Sequence, residues 1–113
     1  MSDIDHTAED LFFKLRNRFP KISMGDENGQ TTTNPLESRF FMLEYEHDGE
    51  KFGKVTCSLV DNSALKVYFS QDITEGMPDE AQEDWFQFLR EMRKFAKINM
   101  LTFDVRDITK DAL

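Results

Sequence analysis

Residues 39–70 read RFFMLEYEHDGEKFGKVTCSLVDNSALKVYFS. Apolar and polar side chains alternate through the stretch, and turn-forming clusters interrupt it at His47-Asp48-Gly49 and Asp61-Asn62-Ser63. This pattern predicts three short antiparallel strands in a meander. Phe41, Leu43 and Tyr45 share one face of the first strand, Val55, Cys57 and Leu59 of the second, and Leu65, Val67 and Phe69 of the third. Directly opposed residues lie on the same face, so loop length sets the register. A two-residue Asp48-Gly49 turn would set Leu43 against Lys54. A three-residue loop is expected instead, pairing Phe41 with Val55 and Leu43 with Gly53, with Gly49 left-handed in a bulge. The same loop length at Asp61-Asn62-Ser63 pairs Leu59 with Leu65, Cys57 with Val67 and Val55 with Phe69. Phe40, Met42 and Phe52 are then left on the opposite face or near the edge, more apolar surface than a one-sided sheet needs.

Upstream, Thr7 and Asp10 resemble a capping box, and Ala8, Leu11, Phe12, Leu15 and Phe19 follow at helical spacing until Pro20 ends the helix. Lys14, Arg16, Arg18 and Lys21 gather at its C-terminal end, where they suit the helix dipole and, as the alternative, a phosphate. Residues 21–36 hold few large apolar side chains and read as a loop with a weak hairpin across Asn28-Gly29. Asp26, Asn28, Gln30 and Glu37 fall at calcium-loop offsets, but Thr31 stands where that loop requires glycine.

Downstream, Pro78 or Asp79 opens the longest helix, with Gln82 placed for a capping box. Ala81, Trp85, Phe88, Leu89, Met92, Phe95, Ala96 and Asn99 share one face, a broad apolar stripe, and Phe86 lies off that stripe, facing outward toward a partner. Asp79, Glu80, Glu83 and Asp84 crowd its start and Arg90, Arg93, Lys94 and Lys97 its end. The helix dipole favours that order, and the four bases are also the densest positive patch in the chain. Residues 101–108 alternate again and read as a last strand, with Leu101, Phe103 and Val105 on one face and Thr102, Asp104 and Arg106 on the other. Thr109 to Leu113 holds no closing element, so a longer reading frame is expected.

The whole is a single α+β domain over residues 1–113, large enough to bury a core without a staple. One cysteine cannot form an internal disulfide, and Cys57 alternates with core residues, so a buried thiol is expected over a nucleophile. No signal peptide or long apolar run is present, which makes cytoplasm the expected compartment and excludes a membrane partner from the reading. The formal charge of −8 argues against a broad basic surface; any polyanion would have to bind a local patch. No phosphate-cradling glycine loop and no zinc-ligand pair appears, so no cofactor and no metal is expected. Carboxylates lie on solvated faces and neither histidine has a placeable partner, so no enzyme is expected.

The run Trp85-Phe86-Gln87-Phe88-Leu89-Arg90-Glu91-Met92-Arg93-Lys94-Phe95-Ala96-Lys97, followed by Leu101-Thr102-Phe103-Asp104-Val105-Arg106-Asp107-Ile108-Thr109-Lys110, resembles a family of small cyanophage-associated proteins abundant in marine metagenomes. The resemblance covers nearly the whole chain. It implies an Sm-like fold: an N-terminal helix and a strongly bent antiparallel sheet closing into a small β-barrel, here with the long helix inserted before the last strand. It also implies assembly into homo-oligomeric rings and binding of single-stranded RNA or DNA. Gly53, Asp61 and Asn62 stand where the first Sm motif places its glycine and Asp-Asn turn, but Ser63 and Ala64 replace the aromatic and second asparagine. In the second motif Val105-Arg106-Asp107 keeps the arginine and replaces the glycine with an acid. The candidate nucleic-acid-binding residues are therefore Asn62 and Arg106 near a pore, with Arg90, Arg93, Lys94 and Lys97. The alternative is a phage structural or scaffolding protein that uses the fold for assembly only. In either case the compartment would be the host-cell cytoplasm.

Overall fold

A computed structural model describes residues 4–60, 63–69 and 76–107. The elements run α1 (Ile4–Arg18), β1 (Ser23–Gly25), β2 (Thr31–Thr32), a single 3-10 turn (Pro35–Glu37), β3 (Phe40–His47), β4 (Glu50–Val60), β5 (Ala64–Phe69), α2 (Asp79–Ile98) and β6 (Thr102–Asp107). One six-stranded sheet has the order β2-β1-β3-β4-β5-β6, antiparallel throughout except that β5 and β6 are parallel. The parallel pair follows from α2, since a helical crossover returns the chain in the same direction.

The α+β class, the presence of an N-terminal helix, the meander and the long helix before the last strand match the sequence reading, but α1 begins at Ile4, so Thr7 and Asp10 lie inside it and do not form its capping box. Closure into a barrel does not: β2 and β6 are the two ends of an open sheet. The second turn has the expected register, Leu59 opposite Leu65, Cys57 opposite Val67 and Val55 opposite Phe69. The first turn differs. His47 pairs with Glu50 across a two-residue Asp48-Gly49 turn in which both residues have positive φ (53° and 80°), as this hairpin type requires. A bulge then shifts the register, so that Tyr45 meets Gly53, Leu43 meets Val55 and Phe41 meets Cys57. Phe52 is the residue taken up by the bulge, and it packs against the core rather than lying on the outer face.

The short hairpin across Asn28-Gly29 is present as β1 and β2, held by the Asp26 carboxylate, which accepts from the backbone N–H of Asn28 and of Gln30 (both 2.9 Å). Beyond that expectation, β1 also pairs with β3, placing Met24 opposite Phe41 on the core face.

Both helices contribute to one core. Ala8, Leu11 and Leu15 from α1 and Ala81, Trp85, Phe88 and Met92 from α2 join Phe41, Tyr45, Val55, Cys57, Leu65 and Val67 from the sheet, all nearly inaccessible. Trp85 lies against the rings of Tyr45 (5.0 Å), Phe69 (5.2 Å) and Phe88 (5.5 Å). Cys57 is fully buried, which pushes its thiol up to about 12, in keeping with a core role.

Helix ends depart from the sequence reading in detail. The residue capping α2 is Pro78, with no side-chain cap, and the Gln82 amide donates to the Met77 carbonyl (3.1 Å) instead of closing a capping box. At its C-terminus Met100 N–H donates to Lys97 and Leu101 N–H to Ala96, with Met100 at φ 58°. That is a Schellman motif with methionine in the left-handed position glycine usually takes.

Candidate nucleic-acid interface

The solvent side of α2 carries the positive charge. Successive helical residues are about 100° apart, so Arg93, Lys97, Arg90 and Lys94 fall within an arc of roughly 100°. All four are exposed. Phe86 lies in the same arc and is 50% exposed. Asp79 and Glu83 share it nearer the N-terminus, so this face changes sign at Phe86 and becomes basic toward the helix end.

On one flank the patch reaches α1. Lys14 joins Gln87, Arg90, Glu91 and Lys94 around a groove of about 400 Å³, with Phe95 and Ile98 completing its walls. Arg90 Nη2 donates to the side-chain Oε1 of Gln87 (2.9 Å), which steadies the guanidinium. On the other flank Arg93 stacks over the Phe103 ring (5.9 Å), which holds its guanidinium at the β6 side of the helix.

Arg106 does not join this surface. Arg106 shares its face with Thr102 and Asp104, opposite the core-directed Phe103 and Val105. It therefore lies on the side of the sheet away from α2. Its Nη2 is 3.9 Å from Asp104, an ion pair between two half-exposed groups. Asn62 lies outside the described residues.

Arg18, which the sequence placed with the basic end of α1, is committed elsewhere. It pairs with Asp84 (2.5 Å) and Glu91 (3.4 Å), donates to the Tyr45 hydroxyl (3.3 Å), and stacks over Phe19 and Phe88 (both 5.6 Å). Tyr45 in turn donates to the Asp84 carboxylate, and His47 Nδ1 is 3.6 Å from the same group. Burial of Asp84 alone would raise its pKa, but the hydrogen bonds from Tyr45 and Arg18, with the nearby positive charge, outweigh that and hold it below 3.8. The Tyr45 phenol is pushed well above 10, first by burial and then by the bond to Asp84. This network ties α1, β3 and α2 together. No local sequence signal marks it, because its members come from three elements.

Among the described residues, His47, Asp48 and Glu80 come nearest to a metal-ligand set, with donor atoms within 4.8 Å of one another. Asp48 and Glu80 are exposed, and such carboxylates do not by themselves specify an ion. No helix among the described residues is long and apolar enough to cross a membrane. Comparison with known proteins identifies no relative: no family model, no curated protein and no solved structure matches the chain.

Proposed function

We propose that this protein is a non-catalytic binding module that holds single-stranded RNA or DNA along the exposed face of α2. The observation that carries this reading is the gathering of Arg90, Arg93, Lys94 and Lys97 in one exposed arc, beside half-exposed Phe86 and next to Lys14. Single strands are bound by grooves that track the phosphates together with aromatic faces on which bases stack, and this surface offers both in a small area. The chain is acidic overall, so binding is local, weak per site and strongly salt-dependent. The Sm-like resemblance enters through the N-terminal helix and the meander. A ring would need pairing between subunits, because the sheet of one chain is open.

Fluorescence anisotropy with labelled oligo-U and oligo-dT at about 50 and 200 mM salt tests the proposal. Replacing Arg93 and Lys94 by alanine should lower affinity and flatten the salt slope by roughly 1.4, about 0.7 per lost phosphate contact on a single strand. Arg106→Ala should change little, since its side chain lies on the opposite face of the sheet. Absence of binding to either oligomer at the lower salt would overturn the reading.

One observation favours the assembly-only alternative. The outer face of the sheet carries Phe40, Met42, Thr56 and Tyr68; among the described residues both helices pack on the opposite face, and Met42 is 37% exposed. A scaffolding protein would use such a face and the open edges for contacts between subunits.

A further inference from the structure

We propose that His47, Asp48 and Glu80 bind a zinc ion that fastens the tip of the β3–β4 hairpin to the first turn of α2. The inference stands apart from nucleic-acid binding. His47 is the last residue of β3, Asp48 the first residue of the tight turn that follows, and Glu80 the second residue of α2. Folding brings one donor atom of each to within 4.8 Å of the others. The left-handed backbone at Asp48 and Gly49 makes the turn narrow, and the Asp48 carboxylate comes to 3.5 Å from His47 Nε2.

Two exposed carboxylates alone do not select an ion, but the histidine and the group behind it do. The His47 ring is largely buried, and its two nitrogens face different acids: Nε2 faces Asp48, and Nδ1 lies 3.6 Å from Asp84. Asp84 is itself fixed by the Tyr45 hydroxyl and by Arg18. A carboxylate in that place favours the ring proton on Nδ1 and leaves the Nε2 lone pair turned toward Asp48, the way an outer carboxylate orients a metal-binding histidine. Ligand atoms about 2.0–2.1 Å from a tetrahedral zinc ion are about 3.4 Å apart, close to the 3.5 Å between Nε2 and Asp48. Any wider gap lies at Glu80, whose exposed side chain closes it by rotation. The two carboxylates balance the charge of a divalent ion, and water takes the fourth position. Imidazole suits zinc, whereas calcium and magnesium prefer an all-oxygen shell. The formal charge of −8 also favours a cation over an anion at this surface.

Isothermal titration calorimetry of the untagged protein with zinc chloride provides the test. The wild type should bind one zinc ion at this site and melt at a higher temperature with zinc present, because the ligands come together only in the folded chain. His47→Gln should weaken binding by about a hundredfold and Glu80→Gln by about tenfold. The other histidine, His6, lies in α1, so His6→Gln should bind zinc as the wild type does. Calcium and magnesium chlorides should bind the wild type at least about tenfold more weakly than zinc. Circular dichroism without metal checks that each variant is folded. A wild type that takes up no zinc overturns the proposal. So does binding that His47→Gln leaves unchanged, or calcium bound as tightly as zinc; none of these outcomes bears on oligonucleotide binding at α2.

Discussion

Trp85 and Phe86 are neighbours in sequence with opposite environments, and their substitution tests the packing directly. Trp85 is 1% exposed and contacts rings from β3, β5 and its own helix. Truncating a buried aromatic to alanine removes its transfer free energy and leaves a cavity, together about 3–5 kcal/mol. A domain of this size is stable by about 5–15 kcal/mol, so Trp85→Ala takes a large share. With a urea m-value of about 1.5 kcal/mol/M the midpoint should fall by about 2–3 M. Phe86→Ala, at a half-exposed position, should stay within about 0.5 kcal/mol. Urea titration followed by far-UV circular dichroism reads both, because the change at Trp85 removes the chain's single tryptophan. Equal midpoints for the two variants would refute the assignment of α2's buried face.

Two further outcomes follow from local chemistry. Asp84 has a folded-state pKa below 3.8, so its contribution is present above that value and is lost as pH falls through it toward the folded pKa. Thermal melts between about pH 5 and 2.5 should therefore fall more steeply for the wild type than for Asp84→Asn, which lacks the titrating group; parallel curves would show that the network contributes nothing. Met100 is left-handed and 89% exposed, so Met100→Gly relieves backbone strain without removing packing and should stabilise by up to about 1 kcal/mol. A lower melting temperature would show that the methionine packs in solution.

How much could be read from the sequence varied with how local the signal was. The pairing of β4 with β5 was fully legible, since a three-residue loop and uninterrupted alternation leave one register that keeps Leu59, Cys57 and Val55 inward. At the first turn the facing rule still held, because Leu43 and Val55 do share a face. The bulge at Phe52 restores the parity that the short turn breaks, and alternation alone does not distinguish that from a longer loop. β1 and β2 are too short to show alternation, so their place in the sheet was hidden. The separation of Arg106 from the bases of α2 was available: a strand that turns Phe103 and Val105 toward the helices must turn Arg106 away. The union of Arg18, Tyr45 and Asp84 was not, since it depends on where three elements meet.

The parallel pairing of β5 with β6 bears on the order in which the protein folds and on how it fails. β3, β4 and β5 are joined by tight turns, so their contacts are local and form at little entropic cost, whereas Ala64 and Thr102 become neighbours only after α2 has crossed the sheet. β6 is thus expected to dock late and to detach early. Each detachment uncovers the outer edge of β5, whose sequence ALKVYF combines branched and aromatic side chains with no proline, the composition of a strand that recruits others. Lys66, at its centre, is then the one charge opposing that recruitment.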